Sequence, residues 1–211
     1  MNALSEGQVF HYFDNFSLDV SCKRRMNQNR IIHSVMKRTF MYHYEKSSSL
    51  DDTIAFVTRL FYSIPNSFFQ SKLDYYHVIA TVTKYIQQWL GEKKNKIPPL
   101  FLFEQLSVYH ETLQIEMNVQ LDLAEWTDTS FTITKYVIPA NDEQIKRLYE
   151  MIVVFSSLYF EHLPKKIKFL SLLDGSVYSY TPTCNEIDGC TDNVYLLYTL
   201  LNQPNYRIFT V

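Results

Sequence analysis

Thirteen positions separate Asp122 from Lys135, a carboxylate and an ammonium that a tight hairpin would set side by side. Between Leu113 and Leu123 every odd position is apolar and every even one polar, the period-2 signature of a half-buried strand. One face of that strand reads Gln114, Glu116, Asn118, Gln120, Asp122. The following stretch, SFTITKYVI, is rich in β-branched and aromatic residues and reads as its partner. If TDTS is a four-residue loop, or Asp128-Thr129 a two-residue one, Trp126 pairs with Phe131, Ala124 with Ile133 and Gln120 with Val137, and Asp122 lies opposite Lys135. A three-residue turn would move Lys135 to the other face.

Two chemistries fit such a pair. One is a cross-strand ion pair on a wetted sheet face, worth roughly 0.2–1 kcal/mol. The other is a metal-dependent site, in which carboxylates hold a hard divalent ion and a lysine stabilises charge or positions water. That site needs a second acid. Glu116 lies six residues before Asp122, roughly 20 Å away along a strand rising about 3.3 Å per residue, so Glu104 on the preceding strand is the acid that spacing allows. His110 and Glu111 form no H-x-x-x-H or HExxH spacing.

A third feature is electrostatic. The chain of 211 residues carries a net −2, yet residues 21–46 hold Lys23, Arg24, Arg25, Arg30, Lys37, Arg38 and Lys46 against Glu45, a local +6 on a remainder of −8. This block is either a solvated helix face or a weak, phosphate-facing DNA contact. Sixteen tyrosines and fifteen phenylalanines could stack on bases, but their helical spacing favours core packing.

Helices must carry the basic block and strands the charged pair. Ile31, Ile32, Val35, Met36 and Phe40 recur at helical spacing. A second helix starts at Asp51 and Asp52, carries Ile54, Val57, Leu60, Phe61 and Ile64, and ends at Pro65-Asn66. A third runs from about Leu73 to Leu90 with Tyr76, Ala80, Ile86, Trp89 and Leu90 inward and Gly91 as its cap. EKKNKIPP is a loop, and LFLFEQLSVYH precedes the alternating run as another strand. Asn141 and Gln144 form a capping box for a helix through Leu163. KIKFLSLL and SVYSYTP then make a hairpin around Asp174-Gly175, followed by a short helix near Asn193 to Leu201 and an extended tail. The expected fold is a single α/β domain over residues 1–211, with a helical part (1–97) packed on a small mixed sheet (98–211) in α-β-β-β-α-β core order.

That order resembles the PD-(D/E)XK nuclease superfamily, and the helical front half resembles its RecB and AddB-type branch. In that branch an early-helix histidine follows a glycine by four residues. NRIIH offers His33, with Asn29 in place of the glycine. The family's metal-binding aspartate, in a G-x-x-D setting, matches Asp122 in NVQLD without the glycine, and its acid-x-lysine matches ITK, with Lys135 present and Ile133 replacing the acid. Gln144 and Tyr149 stand five apart where the family has four. The resemblance implies a degenerate member: Asp122, Lys135 and His33 are the remnants of a catalytic site that has lost cleavage, in a non-catalytic DNA-associated or assembly module of recombination or repair. It implies no cofactor, or Mg²⁺ or Mn²⁺ on Asp122 and Glu104 if an acid has migrated and the chain still cuts DNA. A protein-binding regulator unrelated to nucleic acid is the further alternative.

The remaining signals are exclusions. No run approaches the roughly 18 apolar residues of a membrane span, and the N-terminus lacks the pattern of a secretory signal. The expectation is a cytoplasmic protein without membrane contact, and Cys22, Cys184 and Cys190 read as reduced thiols. Four glycines and no phosphate loop, GxGxxG or GxSxG exclude nucleotide-loop and hydrolase signatures.

Overall fold

The computed structural model describes residues 3–8, 20–91, 98–138 and 141–202, without the side chains of 20–26. Three helices lead. α1 (Val20–Glu45) buries Ile32, Val35, Met36 and Phe40 on one stripe. α2 (Leu50–Tyr62) is capped by Ser49, whose side chain accepts the Asp52 N–H, and opens on Asp51 and Asp52 at its positive end. α3 (Lys72–Gly91) buries Tyr75, Val78, Val82, Ile86, Trp89 and Leu90. The expected inward positions Tyr76 and Ala80 face solvent instead, because the spacing set by Val82, Ile86 and Trp89 extends back to Val78 and Tyr75.

Strands β1 (Ala3–Ser5), β2 (Phe101–His110), β3 (Ile115–Trp126), β4 (Phe131–Val137), β5 (Lys166–Ser171) and β6 (Val177–Tyr180) form one mixed sheet. β2 runs antiparallel along β3 between Ile115 and Ala124. β4 pairs parallel with β5 across the crossover helix α4 (Asp142–Tyr159), and β6 returns antiparallel on β5. Their turn uses Gly175 at φ 73°, and the Asp174 carboxylate accepts the Ser176 N–H at 2.8 Å. The capping box of α4 is present in both directions, Asn141 to Gln144 and back.

Two cores make three layers. On one face α4 and α5 (Ile187–Leu201) cover Ile115, Met117, Val119, Leu121, Ala124, Ile133 and Ile167. On the other, α1, α2 and α3 cover Phe103, Leu123, Tyr136 and Leu172. The class is α/β with helices preceding the sheet, as expected, with two departures. The first strand lies at residues 3–5, inside the stretch read as helical. α5 begins at Ile187 rather than Asn193, since Cys190, Val194 and Leu197 already bury a face there and Gly189 meets open space. The loop 92–97 and the tail 203–211 lie outside the described residues. No helix among the described residues is long and apolar enough to cross a membrane.

Candidate functional site

The β3–β4 ladder is short. Trp126 pairs with Phe131, Ala124 with Ile133 and Leu123 with Thr134, the register of the even-numbered loop, and the ladder then stops. β4 continues along β5, while the same edge of β3 passes to β1, which pairs in parallel at Glu116–Asn118. Residues 119–122 therefore face a fork, and the expected rungs of Asp122 with Lys135 and of Gln120 with Val137 do not form. Buried backbone groups at a fork need partners, and the two charged residues provide them. Asp122 Oδ2 accepts the Tyr136 N–H at 2.9 Å, and Lys135 Nζ donates to the Gln120 carbonyl at 2.5 Å. Side chains thus continue the ladder where main chain cannot.

The strands reach this arrangement by changing phase. Leu102 pairs with Leu123 and Glu104 with Leu121 in one register, but the rung between them, Phe103 and Asp122, is unpaired. Leu121 and Ala124 share one core, as do Leu106 and Phe101, whereas Leu102, Phe103 and Leu123 lie in the other. Strict alternation would put Leu121 with Leu123. Phe103 takes φ 52°, a left-handed conformation that costs a bulky residue roughly 1–3 kcal/mol. Asp122 consequently leaves the half-wet row of Glu116 and Asn118, on which alternation had placed it, and reaches sideways to β4.

The pair is not a wet ion pair. Lys135 Nζ lies 3.3 Å from Asp122 Oδ1 and 2.8 Å from Glu6 Oε2, with side-chain exposures of 4% for the lysine, 0% for Asp122 and 12% for Glu6. Gln120 Nε2 donates to Asp122 Oδ1 at 2.7 Å. One ammonium thus sits in a cradle of three oxygens, from β3, from β3's main chain and from the residue after β1. The two carboxylate oxygens on it lie within about 6 Å of each other. Glu6 Oε1 is buried and has no hydrogen-bond partner.

Burial pulls the Lys135 ammonium down, but Asp122 and Glu6 together outweigh it and hold it above the usual lysine range. Burial pushes the Glu6 carboxyl up, Lys135 and the Gln120 backbone oppose this, and Asp122 adds to it, leaving it above the ordinary carboxylate value. His33, on α1, packs edge-on against Phe103 at 6.3 Å. Burial lowers its imidazole, Asp122 opposes, and Lys135 and Lys37 reinforce, which holds it below the ordinary histidine value.

His33, Asp122 and Lys135 therefore share one neighbourhood. Glu104 does not belong to it: it stands exposed on β2 opposite Leu121. Glu116 lies between Ala3 and Tyr109, and Ile133 is wholly buried in the apolar core. Gln144 serves the cap of α4, and the Tyr149 hydroxyl donates to Glu186 at 2.5 Å, away from the fork. Arg30 and Arg38 are exposed and Lys37 half-buried on the outward side of α1, with Lys37 Nζ 6.0 Å from the Phe103 ring centre. Lys23, Arg24 and Arg25 fall on the helix, but their side chains lie outside the described residues. Cys184 and Cys190 are free thiols, and burial pushes Cys190 up to about 11. Sequence reading missed Glu6, because a three-residue strand is too short to carry a period-2 pattern.

Oxygen donors of this kind suit a hard divalent ion, but the Lys135 ammonium already rests on them at 2.5–3.3 Å. Among the described residues no three His, Cys, Asp or Glu side chains converge as a metal-holding group. Mg²⁺ or Mn²⁺ does not fit the cluster while Lys135 stays in it. No protein-family model matches the chain and no curated protein matches its sequence, so the reading of this fork rests on its own geometry.

Proposed function

We propose that the chain is a nuclease-like α/β protein, resembling a degenerate PD-(D/E)XK enzyme, that attaches weakly to DNA and to another protein without cutting. One observation carries this reading. The charged group at the fork is consumed internally, with the Lys135 ammonium paired to both Asp122 and Glu6 and bonding the Gln120 carbonyl. An ammonium so committed ties strands together; it is not free to meet a scissile phosphate. Ile133, where the resemblance expects the second acid, contributes only apolar packing. DNA contact is assigned to α1, whose Arg30, Lys37 and Arg38 lie along its outward side without a carboxylate partner among the described residues, and whose Lys23, Arg24 and Arg25 add charge to the same helix. The setting this reading implies is cytoplasmic recombination or repair.

The test uses the purified chain with Mg²⁺ or Mn²⁺ and single- or double-stranded DNA. The expected result is no cleavage that depends on Asp122, together with weak binding whose affinity falls with salt. Reversing Arg30, Lys37 and Arg38 to glutamate should abolish that binding. Metal-dependent cleavage lost in both Asp122→Asn and Glu104→Ala would replace the proposal by an active nuclease with a migrated acid. No binding at low salt would leave the protein-binding regulator.

A further inference from the structure

We propose that the N-terminal strand is a pH-graded latch, closed when Glu6 is protonated and loosened as Glu6 ionises. The cluster holds two carboxylates on one ammonium in a nearly dry fork, so one negative charge is left over. The two acids are not equally housed. Asp122 has both oxygens bonded, to Gln120 Nε2 and to the Tyr136 N–H. Glu6 has one oxygen on Lys135, while Oε1 is buried without a partner. Ionised, the carboxylate keeps the Lys135 bond on Oε2 but loses hydration at Oε1 without a hydrogen bond to replace it, whereas a protonated one carries no charge to desolvate.

The segment that carries Glu6 is also the part of the sheet held by least. β1 pairs over three residues, Ala3 with Glu116, Leu4 with Met117 and Ser5 with Asn118, and anchors one side chain, Leu4, in the core. Opening it leaves the β3–β4 staple intact, since the bonds of Asp122 to Tyr136 and of Lys135 to Gln120 do not involve it. Opening bares Lys135 and the β3 edge at Glu116–Asn118. Among the described residues, Lys135 on β4 and Asp122 on β3 are the charged groups facing Glu6, and His33 and Lys37 on α1 are the next titratable groups of the neighbourhood. The elevated Glu6 carboxyl places the transition above the ordinary carboxylate range.

Amide hydrogen exchange of residues 3–8, corrected for intrinsic rates, tests the latch between pH 4.5 and 8 in the parent and in Glu6→Gln, which keeps the shape and removes the charge. In the parent the opening equilibrium should rise with pH, by at most tenfold per unit because one proton is released. It should then level off once Glu6 is ionised. In Glu6→Gln it should stay at the low, acid-side value throughout. The variant retains His33, Lys37, Asp122 and Lys135, so only the Glu6 term is removed. Equal pH dependence in both proteins would overturn the proposal, as would a variant that opens more than the parent at neutral pH, which would mean that the Glu6 charge holds the strand down. A second variant, Leu4→Ala, should raise opening at every pH without flattening the slope; a flattened slope would assign the dependence to something other than Glu6.

Discussion

Two charged networks in this molecule contrast in reach. On α4, Arg147 bonds Glu143 and Glu150 at 3.1 Å each, four and three positions away on the same helix, with Arg147 22% and Glu143 57% exposed. At the fork, Lys135 meets Asp122 and Glu6, the latter 129 positions away, and almost nothing is exposed. The first network costs little to form, since the helix already holds its members one turn apart, and it contributes little, since water competes for the same groups. The second has no local support and no water to fall back on, so its members depend on each other. Glu150 is the intermediate case. It is buried, accepts from Asn193 Nδ2 at 2.8 Å, and so carries the α4 network across to α5.

The largest expected effect breaks the fork. Lys135→Met leaves two buried carboxylates without a counter-charge and should destabilise the fold by about 3–5 kcal/mol in urea unfolding. Adding Asp122→Asn and Glu6→Gln to it should recover most of that loss, because three neutral groups need no counter-charge. A variant as unstable as the single one would mean that the bonds to Tyr136 and Gln120, not the charges, dominate. The alkaline limb sharpens the same point. Lys135 is held above its ordinary 10.5, so its stabilisation is fully present below that pH and is lost as pH rises through the folded value. The stability difference between the parent and the triple variant should therefore shrink with rising pH above that point.

On α4 the effects should be graded by burial. Glu150→Ala removes the acceptor shared by Arg147 and Asn193 and should cost about 1–3 kcal/mol by thermal or urea unfolding. Asn141→Ala, which opens the capping box, should cost about 1 kcal/mol. Glu143→Ala should cost roughly 0.3–0.5 kcal/mol and less at high salt. If Glu143 proved as costly as Glu150, the contrast between exposed and buried charge would fail.

Local chemistry is legible in the sequence itself. The capping box at Asn141 and Gln144, the Asp174-Gly175 hairpin, the α2 start at Asp51-Asp52 and the Trp126–Phe131 register each depend on residues within a few positions of one another. The approach of Asp122 to Lys135 followed from that register. Its environment did not: alternation put Asp122 on a wet face with Glu116, whereas the phase change at Phe103 and Asp122 turned it into the fork.

What the sequence by itself determined is the α/β class, the hairpin register and the pairing of opposite charges, because hydrophobic period, caps and turns act over a few residues. Only the tertiary structure decided that the pair is dry, that Glu6 is its third member, and that β1 takes the β3 edge that β4 leaves. A three-residue strand carries no period, and an acid near the chain start carries no sign of the lysine 129 positions on that it will meet. Those facts follow from which strand fills a fork, and that is settled by packing across the whole sheet.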